Sequence, residues 1–206
     1  MKKVILLLCI SLVLACQEQT DDYTQEIRAY REEQNAKFLA EKSSPLSAAE
    51  RQQFTGHEYF PIDEAYRVKA RFEATPDAKP FQLGTSTGGT QLYRRLGILH
   101  FDIEGQPQTL EAYLRVQGFG LAAKVNYVFL PLIDATSGVS TYDAGRYLHF
   151  DKIPEGKEWI IDFNKLYNPL CAYNPNYECP MVPSPNHLDV AIKAGVKGYW
   201  QTEEFK

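Results

Sequence analysis

Hydrophobic residues recur along this chain with two different periods, and the change falls near Gly56. Between Asp22 and Lys42, Tyr23, Ile27, Tyr30 and Phe38 share one face of a 3.6-residue repeat among charged positions, which predicts a helix. Asp22 with Gln25 resembles a capping box at its start, and Ser43-Ser44-Pro45 follows its end. Ser47-Ala48-Ala49-Glu50 is the capping-box spacing itself, so a second, short helix is expected there, ended by Gly56. Beyond Gly56 the period becomes two. Tyr66, Val68, Ala70, Phe72 and Ala74 alternate with Arg67, Lys69, Arg71 and Glu73, the pattern of a strand with one charged face. Further strands are predicted at Gly97 to Ile103, Leu110 to Gln117, Val125 to Ile133, Arg146 to Asp151, Trp159 to Phe163 and Leu188 to Lys193. Turn residues separate them: Thr87-Gly88-Gly89, Glu104-Gly105, Ser137-Gly138 and Glu155-Gly156.

Short strands without long helices between them predict a mainly β fold, an antiparallel sandwich or partly open barrel with one or two helices in front. A length of 206 residues with 44% hydrophobic and 13% aromatic content suits one packed domain. The expected divisions are a signal peptide over 1–15, a tether over 16–21, a helical segment over 22–55 and a β-rich domain over 56–206. A monomer is expected.

The amino terminus refines the picture. Lys2-Lys3 precede an apolar run from Val4 to Leu14, too short to span a bilayer as a helix. Val13-Leu14-Ala15-Cys16 resembles a bacterial lipobox, which implies cleavage before Cys16 and a lipid-anchored mature chain; the alternative is an ordinary secretory signal. Gln17 after that cysteine points to the outer rather than the inner membrane. Removing 1–15 discards Lys2 and Lys3 and no acid, leaving 20 basic against 26 acidic residues, a net charge of −6. An acidic chain without a basic run argues against nucleic acid as a partner.

Candidate chemistry is sparse. Gly84-Thr85-Ser86-Thr87-Gly88 matches the nucleophile-elbow spacing, but the residues after it resemble a returning strand instead of the required helix, so a hairpin turn is expected. His100-Phe101-Asp102, His149-Phe150-Asp151 and His187-Leu188-Asp189 each put a His and an Asp on one strand face, as a metal site would. Their apolar neighbours claim the buried face, so the pairs are expected to face solvent, and no metal or cofactor is expected.

The densest stretch is 162–180, with two cysteines, four asparagines, three tyrosines and three prolines in nineteen residues. Pro after Asn enforces extended or turn backbone, and Asn tolerates left-handed conformations, so a rigid irregular loop is predicted. Cys171 and Cys179 lack zinc spacing and read first as a structural disulfide in an oxidising compartment, with a metal site or a reactive thiol as alternatives. Asp162, Asn164, Asn168 and Asn174 are candidate ligand-binding residues or loop-shaping ones. Arg146 would join them as an anion clamp, or pair with Asp162 as a buried salt bridge.

Asp134-Ala135-Thr136-Ser137-Gly138, Thr141-Tyr142, Gly145-Arg146-Tyr147-Leu148, Asp162-Phe163-Asn164, Tyr167-Asn168-Pro169, Cys171-Ala172-Tyr173, Cys179-Pro180, Asn186 and Ala194-Gly195-Val196-Lys197 together resemble the DUF1684 family over about residues 25–200. This is a bacterial and archaeal family of unknown function whose Bacteroidetes members often carry a lipoprotein signal. Similar sequences hold the cysteine pair even without export signals, which weakens a purely extracytoplasmic role for a disulfide. His149, His187 and Asp189 depart from the family pattern, which argues further against a histidine metal site. The expected function is a cell-envelope lipoprotein that binds a small polar ligand or an envelope partner, or is structural, with its site where the 162–187 loop meets Arg146. The alternatives are an envelope hydrolase using Asp162 and Cys171, and an interaction module acting through the first helix.

Overall fold

The computed structural model describes residues 22–116 and 127–198. The signal peptide, Cys16 and the tether lie outside them, as do the outer ends of the strands expected to close at Gln117 and open at Val125.

The first helix, α1, covers 22–39 and buries Tyr23, Ile27 and Phe38 on the face its periodicity predicts. α2 (Ala48–Gln53) begins at the expected capping box, in which the Glu50 amide donates to Ser47 Oγ at 3.3 Å and the Ser47 amide to Glu50 Oε2 at 2.7 Å. It stops before Gly56, because Phe54 turns into extended backbone and packs with Phe38 and Leu46.

Seven strands follow: β1 (Arg67–Ala74), β2 (Phe81–Gly84), β3 (Thr90–Ile103), β4 (Gln106–Arg115), β5 (Val128–Leu132), β6 (Arg146–Phe150) and β7 (Glu158–Asp162). They form one antiparallel sheet in the order β6-β5-β4-β3-β1-β7, curled into a half-barrel. β3 is long enough to pair with two strands along one edge, β2 against its first half and β1 against its second. The register shifts at Gly97, where any side chain would collide with the ring of Phe72 on β1. The Gly84–Gly88 motif is the β2–β3 turn, as its following residues suggested: Thr85 and Gly89 pair across it, and Gly88 takes a left-handed φ of 81°.

The principal core lies inside the curl, built from alternate residues such as Leu99, Phe101, Leu110, Val128, Leu130, Leu148, Trp159 and Ile161. β5 is buried on both faces, so Phe129 joins Tyr93, Tyr113 and Tyr147 in a second cluster on the opposite side.

Two expectations fail here. Leu188 to Lys193 alternates like a strand but forms none among the described residues, and only its start follows the chain beyond β5, where the Ala135 amide donates to Val190 O at 3.0 Å. The Leu188 amide bonds Ile133 O at 2.9 Å, and the carbonyls of Ile192, Ala194 and Val196 accept from the fully buried Arg146 at 2.8, 2.6 and 3.0 Å. The second failure is the Arg146 partner. It is Asp134, at 2.7 Å and equally buried, and not Asp162. Asp134 in turn accepts from the Thr136 hydroxyl at 2.6 Å and the Ile192 amide at 3.2 Å. A guanidinium suits this role because its fixed fork of donors can serve several carbonyls while one carboxylate balances the charge.

Removing one member of such a buried pair leaves an uncompensated charge. Asp134→Ala and Arg146→Ala should each destabilise by roughly 3–5 kcal/mol in urea unfolding. A loss below ~1 kcal/mol would show that the pair does not hold the carboxyl-terminal segment.

Candidate functional site

The parity of β5 and β6 builds the site. Leu130 and Leu148 point into the core, so Phe129, Tyr147 and His149 point the other way. The chain after β7 returns along β6: the Tyr147 amide donates to Tyr167 O at 2.8 Å and the Tyr167 amide to Tyr147 O at 3.0 Å. That pairing sets the Tyr167 ring beside Tyr147, with centroids 6.0 Å apart, and beside His149 at 5.6 Å. From the far side, α1 contributes Phe38, whose ring lies 4.3 Å from His57 and 4.6 Å from Tyr173, both edge-on. Between these walls is a cavity of about 410 Å³, floored by Asn168 and Val196 and closed laterally by Leu170 and Cys179.

The helix that forms one wall is fastened at several points. Tyr23 Oη donates to Asp162 Oδ1 at 3.0 Å, Tyr30 Oη to Lys165 O at 2.9 Å, and Lys165 Nζ pairs with Glu26 at 2.6 Å. Arg31 packs its guanidinium 4.4 Å above the ring of Tyr59, another cavity residue. The loop wall is fastened by the β2–β3 turn. Thr85 Oγ1 donates to Glu178 Oε1 at 2.9 Å, Ser86 Oγ to Tyr177 O at 3.1 Å, and the Cys179 amide to Ser86 Oγ at 3.1 Å.

The residues expected to form one pocket are distributed over several places. Arg146 belongs to the Asp134 pair and reaches no cavity. Asp162 and Asn164 lie under α1, where Asn164 Nδ2 donates to Tyr23 Oη at 2.9 Å and to Asp63 O at 2.8 Å. Asp162 Oδ2 has no partner among the described residues, and the residue lines a separate groove of about 470 Å³ with Tyr30, Arg67 and Lys165. Asn174 ties the loop to α2's approach through Pro45 O at 3.0 Å. Only Asn168 reaches the aromatic cavity. Its Nδ2 donates to Tyr173 Oη at 3.2 Å and Lys197 O at 3.3 Å, while its buried Oδ1 has no partner among the described residues.

Cys171 and Cys179 are free thiols here, not the expected disulfide. The Cys171 amide donates to Cys179 Sγ at 3.1 Å, so the second sulfur caps the short turn that carries the first. Of the histidines in the His-x-Asp pairs, His100 meets Glu73 across β1 and β3 at 3.1 Å, His149 Nδ1 lies 3.3 Å from Tyr167 Oη, and His187 Nε2 lies 3.4 Å from Val182 O. Among the described residues no group of three or more His, Cys, Asp or Glu side chains is placed to hold a metal.

Burial dominates the electrostatics of the cavity. It raises the phenols of Tyr147, Tyr167 and Tyr173 well above their ordinary range and pushes Tyr59 up to about 12. It lowers His57 to about 4. Tyr59, Tyr147, Tyr167, Tyr173 and His57 are therefore neutral hydrogen-bonding aromatics at neutral pH, able to hold an apolar ring, and they share the lining with Lys37 and Glu178. Sequence reasoning missed this assembly, although the alternation of Tyr127, Phe129 and of Tyr147, His149 was its local signal.

A half-barrel sheet with an aromatic cavity on its outer face, bounded by a loop and a helix, defines the molecule as a small β domain with a partly open aromatic cavity. The chain belongs to the family described as "Protein of unknown function (DUF1684)", which matches residues 52–197. It is similar to an uncharacterized protein of Haloarcula marismortui whose solution NMR structure shares 32% sequence identity, covering 87% of this chain and 96% of that one with a TM-score of 0.67. No curated protein matches the sequence.

Because His57 is held near 4 in the fold against an ordinary 6.5, the unfolded chain takes up a proton first as pH falls. Its contribution to stability is full above pH 6.5 and is lost on descending towards pH 4. Urea unfolding at pH 7 and pH 4.5 should show a loss smaller by about 2–3 kcal/mol in His57→Gln than in the wild type. Equal losses would show that His57 is not held neutral by its aromatic box.

Proposed function

We propose that this protein is a small-ligand-binding lipoprotein of the cell envelope, and that its ligand occupies the aromatic cavity between β5, β6, the 167–180 loop and α1. The cavity itself carries the reading. Its volume, about 410 Å³, falls in the range of small-molecule sites, and its lining is predominantly aromatic with few polar groups, the composition such sites share. Tyrosine hydroxyls stand among the lining rings, so a ligand there meets polar edges as well as apolar faces. The ligand is accordingly a cyclic, largely apolar molecule, less polar than the loop's asparagines suggested.

The rival readings receive less support. Asp162 is committed to Tyr23 and lies in a different groove from the Cys171 loop, so the two do not form one hydrolytic site. The apolar face of α1 is spent on the domain, which leaves a polar face for any partner. The envelope address rests on the Lys2-Lys3 start, the apolar run and the lipobox-like Val13 to Cys16. None of the described helices is long and apolar enough to cross a membrane.

Binding would stabilise the fold with the logarithm of ligand concentration, by about 2.7 kcal/mol at 100 times Kd, and so raise the melting temperature. In a thermal-shift panel of cyclic amides, phenols and alicyclic alcohols, some members should stabilise the wild type and fail with Gln34→Trp, which puts an indole in place of a lining side chain. An equal shift in both proteins would place the binding elsewhere, and no shift with any member would sink the reading. Metabolic labelling with an alkyne-tagged fatty acid should mark the wild type and not Cys16→Ser; a labelled Cys16→Ser chain would exclude anchoring at that residue.

A further inference from the structure

The loop that closes the cavity holds its shape without a covalent link. The Ser86 amide donates to Cys179 O at 2.9 Å and the Met181 amide to Gly84 O at 2.9 Å. Together with the Ser86 and Thr85 side-chain bonds and the Asn174 tie, these fix the middle and the carboxyl-terminal end of the 171–179 segment, and the Leu170–Ala172 turn orders its start. A structural staple would add little to a loop so fixed, yet the two sulfurs are kept adjacent. Cys179 Sγ takes the Cys171 amide at 3.1 Å, which holds the two cysteines together.

The two thiols are not equivalent. Cys171 rides on a short 3-10 turn (Leu170–Ala172) and is partly open to solvent, whereas Cys179 is 7% exposed. We infer that the pair is a thiol-exchange site, with Cys171 as the attacking thiol and Cys179 as the resolving one, taking low-molecular-weight disulfides as its co-reactant. This inference stands apart from the ligand reading, since it needs nothing in the cavity.

In the first step the Cys171 thiolate attacks one sulfur of the small disulfide, forming a mixed disulfide and releasing one thiolate. Cys179 then loses its proton and attacks the Cys171 sulfur, forming the protein disulfide and releasing the second thiolate. Two electrons pass from the protein dithiol to the small disulfide, which leaves as two thiols. The order of attack follows from the environment. Cys171 is the more open of the two, and its contact with Cys179 brings it down to about 7 against the opposing effect of burial, while the same contact and burial push Cys179 up. Cys179 and Leu170 both line the cavity, so the exchange alters one of its walls.

The test uses the full chain in detergent, reduced and then exposed to oxidised glutathione, with mass spectrometry of tryptic residues 166–193, which contain both cysteines and no others. The wild type should form the internal disulfide and return to two thiols with dithiothreitol, its circular dichroism unchanged. Cys179→Ser should trap glutathione on Cys171, and Cys171→Ser should react at least tenfold more slowly. Independently of both variants, limiting iodoacetamide should label Cys171 at least tenfold faster than Cys179 in the reduced wild type. Failure to form the disulfide, equal labelling of the two thiols, or loss of the fold on reduction would overturn the assignment.

Discussion

A buried carbonyl needs a donor, and those of Ile192, Ala194 and Val196 find theirs in one side chain and not in a neighbouring strand. Arg146 solves this by turning its guanidinium to Ile192, Ala194 and Val196 while Asp134 neutralises it. The arrangement propagates outward. Gly195 must take a left-handed φ of 73° to pass Phe163 and Leu166, which delivers Val196 to the cavity floor and Lys197 O to Asn168. The site's polar anchor is thus set by an ion pair that never touches it. A hydrophobic pair of the same volume could stabilise the core as well, but it could not serve three carbonyls.

Much of the fold was legible as period. The α1 face, the Ser47 capping box, the alternation of β1 and the turn nature of Gly84–Gly88 all follow from local chemistry, and the structure keeps them. What failed was whatever depended on a neighbour. Phe81 to Gly84 is too short to announce itself as β2, and the arginines at 94 and 95 interrupt the alternation that would join the returning strand at Thr90 to the one from Gly97 as a single β3. Leu188 to Lys193 carries a strand's alternation without a strand's partner. Arg146 stood out as a residue needing an acid, and the choice between Asp134 and Asp162 is a question of three-dimensional distance that no spacing answers.

The cavity was less legible because its lining comes from six separated segments, at 34–43, 57–59, 127–129, 147–149, 167–180 and 196. The asparagine-rich loop drew attention to the correct region for a partly wrong reason: Asn174 shapes the loop, Asn164 secures the helix, and only Asn168 faces the aromatic space. The family match begins at residue 52, whereas Gln34, Lys37 and Phe38, which line the cavity, lie before it. The part of the site contributed by α1 is therefore the part that the family description does not include.

The attachment of Tyr23 has a mechanical side. Its phenol meets Asp162 at the end of β7 and Asn164 just beyond it, at the very start of the described chain. Tension applied from the amino-terminal side would reach this buried knot before it reached Ile27, Tyr30 or Phe38. The load would pass directly into the sheet through β7, whose backbone is laced to β1 over five residue pairs, and the far end of the helix, with the ring that walls the cavity, would remain unloaded.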